Sequence, residues 1–189
     1  MSLAAEPGSL RCFFAVWPDA AARECITAAA AVVAAGDGAR LVPAQSYHLT
    51  LAFIGEIAAA QLGGLRQIGR ELRAPGFTLA FDAYEYWPKP EVVVAAAREI
   101  PSALSGLWQQ LHRDLNAAGL ALAPKRLRPH VTLARKVTQA PVWPAMSLFE
   151  WSARNFSLVR SDSAAQGSVY TVVDTWPLLD KRQKSWQSL

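Results

Sequence analysis

At 189 residues, the chain suits one domain, or one domain made of two similar lobes. A hydrophobic content of 52%, with seven Trp and seven Phe, supplies ample apolar area for a core and excludes a disordered chain. The net charge of +4 favours acidic partners such as nucleic acid or anionic lipid, though weakly.

In chain order, Leu10 to Trp17 is rich in aromatic and β-favouring residues and predicts a buried strand. Pro18-Asp19 starts a helix, with Asp19 as N-cap. The Ala-rich segment continues to about Ala35 and stops at Gly36-Asp37-Gly38. Its longest apolar run, Ile26 to Ala35, is too short for the roughly 20 residues of a membrane span. Arg11 interrupts the first apolar stretch, so no signal peptide is expected. Cys12 and Cys25 form no C-x-x-C pair and are expected as two reduced core thiols of a cytoplasmic protein.

Tyr47 to Ile54 predicts a second strand, and Ala58 to Leu72 a helix with Leu62, Leu65, Ile68 and Leu72 on one face. After the break at Pro75-Gly76, Phe77 to Trp87 alternates like one strand, and Glu91 to Ala97 reads as another. Ser102 is the expected cap of an amphipathic helix carrying Leu104, Leu107, Trp108, Leu111 and Leu115, which Gly119 ends. His130 to Arg135 is a strand, followed by a Pro/Trp-rich loop and strands at Ala153 to Arg160 and Ser168 to Trp176. A weak internal repeat runs through this order: strand, helix, then a strand opening with His. Two packed lobes within residues 1–189 fit it better than two independent domains.

The repeat carries the chemistry. His48-Leu49-Thr50-Leu51-Ala52 and His130-Val131-Thr132-Leu133-Ala134 are nearly the same pentapeptide, and they hold two of the three histidines. Residues i and i+2 of a strand share a face. His48 and Thr50 therefore point one way, and Leu49, Leu51 and Phe53 the other; His130 and Thr132 oppose Val131 and Leu133. Burying the apolar faces turns both His/Thr faces toward a cleft. Two imidazoles that titrate near neutrality can act as general base and general acid, and threonine hydroxyls can bind the non-bridging oxygens of a phosphate. The pattern leaves open which histidine takes which role.

Other chemistries lack their residues. A catalytic zinc site needs about three protein ligands, and His112, the remaining histidine, sits at the edge of a helix apolar face as a half-exposed side chain. H-E-x-x-H, G-x-S-x-G and phosphate-cradling glycine loops are absent. Lys125, Arg126, Arg128, Arg135 and Lys136 cluster around the second motif without a carboxylate among them, a tract suited to RNA phosphates or to a solvated loop. Arg135 is i+5 from His130, so alternation puts it on the opposite face, at a strand end where it can curl around. Tyr170, or exposed members of Phe13, Phe14 and Trp87, can stack a base, with core packing as the competing role.

On these blocks the chain resembles the 2H phosphoesterase superfamily, and within it the RNA 2′,3′-cyclic phosphodiesterases, also called 2′-5′ RNA ligases. The resemblance runs from Arg11-Cys12-Phe13-Phe14-Ala15 through Tyr47 to Glu56 and Arg128 to Arg135, with Tyr170 and Trp176 near the C-terminus. It implies an α+β fold of two pseudo-symmetric lobes, each an antiparallel sheet with helices, around a central cleft. It implies metal- and cofactor-free hydrolysis of a 2′,3′-cyclic phosphate to a 2′-phosphomonoester, with His48 as proton donor and His130 as proton acceptor. Thr50 and Thr132 would bind the phosphate. The implied partner is RNA with a cyclic phosphate end, tRNA fragments among the candidates, with no membrane and no obligate protein partner. Ligation to a 5′-hydroxyl is the same chemistry with a different nucleophile. The alternatives are a phosphodiesterase for a small cyclic nucleotide and a non-catalytic RNA- or nucleotide-binding module.

Overall fold

The computed structural model describes residues 9–33, 39–120, 122, 126–140, 142–164 and 167–180. Its elements are β1 (Ser9–Val16), α1 (Ala20–Val33), β2 (Arg40–Leu41), β3 (Leu49–Ala58), α2 (Leu62–Glu71), β4 (Phe77–Phe81), β5 (Ala83–Trp87) and β6 (Val92–Ala96). They continue with α3 (Ser102–Ala117), β7 (His130–Arg135), β8 (Phe149–Ala153), β9 (Asn155–Ala164) and β10 (Gly167–Pro177). One sheet has the order β10-β9-β1-β3, a second β2-β7-β6-β5, and β4 pairs with β8 in a third. Every strand pairing in them is antiparallel. This is the expected α+β architecture, with each H-x-T strand in a different sheet.

Both sheets are apolar on two faces, which explains why β1 and β6 read as unbroken hydrophobic runs. Cys12, Phe14 and Val16 of β1, with Val93 and Ala95 of β6, enter the main core. Phe13 and Ala15 face the other way, packing with Val159 and partly buried Trp17 and Tyr170. Val92, Val94 and Ala96 do the same in the second sheet, with Trp87 against them. The helices interlock the two sheets. α1 leaves the first sheet and packs on β6 and β7 of the second, while α3 leaves the second and packs on β3 of the first. α3 buries Leu104, Leu107, Leu111 and Leu115 at helical spacing. α2 lies against β9 and β10, where Gly69 lets Trp176 approach so closely that a Cβ would stand 2.4 Å from its ring.

Several expectations need correction. The Phe77 to Trp87 stretch is two strands in different sheets, broken at Asp82, so its single alternation hid a change of partner. The Pro/Trp-rich loop contains β8, and two-residue β2 carries no sequence signal of its own. The helix expected from Ala58 begins at Leu62, after a 3₁₀ turn at Ala59–Gln61. Ser102 is the first residue of α3, and Pro101 occupies the cap position without a side-chain bond. Cys12 is buried but Cys25 is exposed, outside the buried row of Ala22, Ile26 and Ala29 on α1. Asp19 does cap α1, its carboxylate accepting from the Ala22 N–H at 2.8 Å. Gly119 does end α3, at φ 81°. The glycine stop at 36–38 lies outside the described residues.

Candidate active site

His48 stands just before the first paired residue of β3, after a 3₁₀ turn at Ala44–Ser46, and His130 opens β7. Their rings are anchored in the same way. Nδ1–H of His48 donates to the Ser46 carbonyl at 2.7 Å, and Nδ1–H of His130 donates to the Arg128 carbonyl at 2.7 Å. A carbonyl only accepts, so Nδ1 carries hydrogen in both rings and Nε2 is the atom left for chemistry.

The register of the strands then decides which side chains join these rings. Thr50 pairs with Ala15, and Thr132 with Val94, so both threonines share the faces of the minor apolar clusters rather than the main core. In each strand the leucine following H-x-T is an extra residue. Between Ala15/Thr50 and Phe14/Ala52 the register skips Leu51, and between Val94/Thr132 and Val93/Ala134 it skips Leu133. A β-bulge of this kind reverses the alternation beyond it. Leu51 and Ala52 are consequently both buried, and so are Leu133 and Ala134. The next side chains, Phe53 and Arg135, return to the face of the threonines.

This corrects two expectations. Phe53 is 47% exposed and lines the cleft instead of the core, with the Arg11 guanidinium 5.0 Å from its ring. Arg135 faces the cleft because of the bulge, not by curling around the strand end. The cleft is a cavity of about 510 Å³ whose walls include His48, Thr50, Phe53, Thr132, Arg135 and Tyr170. His130 is not part of that lining; it lies beside it, on the face of Thr132, with its ring 4.5 Å from that of Trp87.

The remaining candidates separate. Tyr170 meets the His48 ring edge-on at 5.1 Å. Phe13 is buried beside the same histidine at 5.0 Å, and Phe14 is in the core against Phe156 and Trp176. Arg128 is not a free cation: it bonds Glu85 at 2.6 Å and lies over Trp87 at 4.4 Å, while Trp87 Nε1–H donates to the same carboxylate at 2.8 Å. Arg126 is exposed and outside the cavity lining. Lys125 lies outside the described residues. His112 bonds the Leu51 carbonyl through Nε2 at 3.1 Å, so α3 holds the bulge of β3.

Residues 16–94, which include the first motif, match the family model described as LigT like Phosphoesterase. An RNA 2′,3′-cyclic phosphodiesterase of Escherichia coli (strain K12) is 33% identical over 170 residues, 89% of this chain and 96% of that protein. The chain belongs to the LigT-like phosphoesterase family. Another member, an RNA 2′,3′-cyclic phosphodiesterase of Thermus thermophilus, is 31% identical over 89% of this chain and 90% of its own. The crystal structure of E. coli LigT complexed with 3′-AMP superposes with a TM-score of 0.83 at 31% identity, over 90% of this chain and 98% of that one.

In this LigT-like phosphoesterase the two imidazoles sit in different electrostatic settings. His48 is enclosed by Phe13, Trp17 and Tyr170. Burial among these rings pushes its pKa down to about 4, against the raising effect of the Ser46 carbonyl, and Arg135 and His130 lower it further. His130 is also lowered, again mainly by burial, with Arg128 and Arg135 adding to it and the Glu85 carboxylate and the Arg128 carbonyl opposing. Both rings are therefore neutral at pH 7 in the open cleft. Sequence reasoning missed Glu85, Trp17, Arg11 and Arg40 as members or neighbours of the site. Gly55, at φ 85° beside a second register break, was the one local signal that β3 is irregular.

Proposed function

We propose that this enzyme hydrolyses RNA 2′,3′-cyclic phosphodiester ends to 2′-phosphomonoesters by acid-base catalysis between His48 and His130. The observation that carries the proposal is the duplicated anchoring: two imidazoles whose Nδ1–H groups are tied to backbone, beside a cavity walled by both motif threonines. Water attacks phosphorus and gives its proton to Nε2 of His130. The bond from phosphorus to O3′ breaks, and O3′ takes the proton from Nε2 of His48. Thr50, Thr132 and Arg135 hold the non-bridging oxygens, where charge rises in the transition state. Phe53 and Tyr170 offer the apolar surface for the base.

The donor role requires a protonated His48, whose pKa is about 4 in the open cleft. The aromatic cage penalises an imidazolium without a counterion, and an entering phosphate anion supplies one. Substrate binding is thus coupled to proton uptake. The LigT-like relatives named for RNA 2′,3′-cyclic ends support the substrate class. Ends of this kind, tRNA fragments among the candidates, would be met in the cytoplasm, the compartment we propose. No helix among the described residues is long and apolar enough to cross a membrane.

The test is turnover of a nucleoside 2′,3′-cyclic phosphate and of an oligonucleotide with a cyclic end. His48→Ala and His130→Ala should each lower kcat by about 10²–10⁴-fold, with an unchanged thermal unfolding profile. Near-normal turnover by either folded variant contradicts the mechanism. Binding of these substrates by the unaltered protein without turnover would favour the binding-module alternative.

A further inference from the structure

β2 contributes only Arg40–Leu41, yet it sets Arg40 directly opposite Arg135 of β7. Directly opposite residues share a face with Cβ atoms about 5 Å apart, where like charges repel. Both guanidiniums line the cavity, and so does Lys136, the next residue along. Lys136 holds a left-handed backbone at φ 59°, facing Glu91 at φ 61°, and the Val137 N–H donates to the Glu91 carbonyl at 3.0 Å across this corner. Neither residue is a glycine, so the corner stores strain that the sheet maintains. Among the described residues, none of Arg40, Arg135 and Lys136 has a carboxylate within ion-pair distance, although Glu91 lines the same cavity. Arg40 also reaches across the cleft, its Nη2 3.5 Å from where a Cβ on Gly167 would stand, in the β9–β10 region of the other sheet.

Three cations side by side, with no ion-paired carboxylate among the described residues, are more than one reacting phosphate requires. Arg135 is the guanidinium whose charge acts on both His48 and His130, so it belongs to the reacting phosphate. Arg135 ends β7 at the far side from His130, with Arg40 opposite it on β2 and Lys136 next along the chain, so Arg40 and Lys136 lie at the far end of the cleft wall from His130. We propose that Arg40 and Lys136 bind a second phosphate, carried on O5′ of the ribose whose cyclic phosphate reacts. The inference rests on the proposed function and narrows its substrate class to 5′-phosphorylated cyclic ends. That phosphate is either an internucleotide linkage or a terminal 5′-phosphate.

The experiment compares the unaltered protein with Arg40→Gln/Lys136→Gln. The substrates are a nucleoside 2′,3′-cyclic phosphate, its 5′-phosphorylated form, a dinucleotide with a cyclic end, and that dinucleotide with a neutral methylphosphonate linkage. A second phosphate should raise kcat/KM about tenfold or more over the plain substrate, and the double variant should lose this gain, read within each protein as the ratio of its two rates. Gain with the dinucleotide alone identifies the internucleotide linkage as the source, and gain with both identifies the phosphate itself. Equal loss on every substrate, or a dinucleotide gain that the methylphosphonate retains, overturns the second site. Calorimetric binding of a nucleoside 2′,5′-bisphosphate against the 2′-phosphate reads the same site without turnover. Tighter binding of the bisphosphate that the double variant abolishes supports the site even if hydrolysis fails; equal binding overturns it.

Discussion

The strands beginning at Leu49 and His130 are copies in backbone and opposites in surroundings. Each starts at or just after a histidine tied through Nδ1 to the carbonyl two residues earlier, and both bulge at the leucine after H-x-T. The side chain that the bulge returns to the cleft is Phe53 in one and Arg135 in the other. His48 sits among three aromatic rings with no carboxylate acting on it, whereas His130 has one ring beside it and the Glu85 carboxylate within electrostatic reach. The duplicated part is the device that aims a group at phosphorus. The divergent part divides labour, giving an apolar wall to one side and charge to the other.

Among changes that act on the difference between the two sides, the largest effect is expected at that divided position. Arg135→Met should lower kcat by about 10²-fold, since it removes a charged donor from the transition state. Phe53→Leu should leave kcat nearly unchanged and raise KM by about fivefold or more, as expected for loss of a base-stacking surface. Equal effects on kcat from both substitutions would erase the distinction between the two sides.

Next in size is the pH profile. Both imidazoles are held below their ordinary range in the open cleft, His48 at about 4. The kcat/KM profile reports the two free-enzyme imidazoles, its acid limb following the lower and its alkaline limb the higher of their pKa values, whichever ring donates. Both limbs should lie below the ordinary histidine value near 6.5, so kcat/KM should already be falling as pH rises through 7. The kcat profile reports the complex, where bound phosphate favours imidazolium, and should lie at higher pH. Coincident profiles centred above 7 would show that the aromatic cage does not act as described.

The smallest effect sharpens the electrostatic difference. The Glu85 carboxylate raises the His130 pKa, so Glu85→Gln should lower it and move the limb of kcat/KM that His130 sets to lower pH. The same substitution also frees Arg128 from its ion pair. His112→Leu is the matching change on the other side. Losing the bond to the Leu51 carbonyl should loosen the bulge and raise KM in the manner of Phe53→Leu, and His112→Gln, which keeps a donor, should restore it in part.

Much of this was legible in the sequence because it is local. The i, i+2 spacing put His and Thr on one face, and the heptad-like leucines of α3 marked a buried helix. The bulges were not legible. A bulge is defined by register against a partner strand, and nothing within Leu49-Thr50-Leu51 announces that Ala15 pairs with Thr50 while Phe14 skips to Ala52. Strict alternation therefore assigned both Phe53 and Arg135 to the wrong face. Arg40 was hidden for a similar reason, since a two-residue strand acquires its place only from β7. The ion pair of Arg128 was hidden because its partner, Glu85, is 43 residues away in the chain.

The assignment of donor and acceptor is tested most directly by a substrate in which sulfur replaces O3′ of the cyclic phosphate. A departing thiolate needs no proton, having a conjugate-acid pKa of about 8.5. His48→Ala should regain most of its lost activity on this substrate, and His130→Ala, which still lacks the base, should not. Rescue of His130→Ala with none for His48→Ala would contradict the assignment and reverse the two roles.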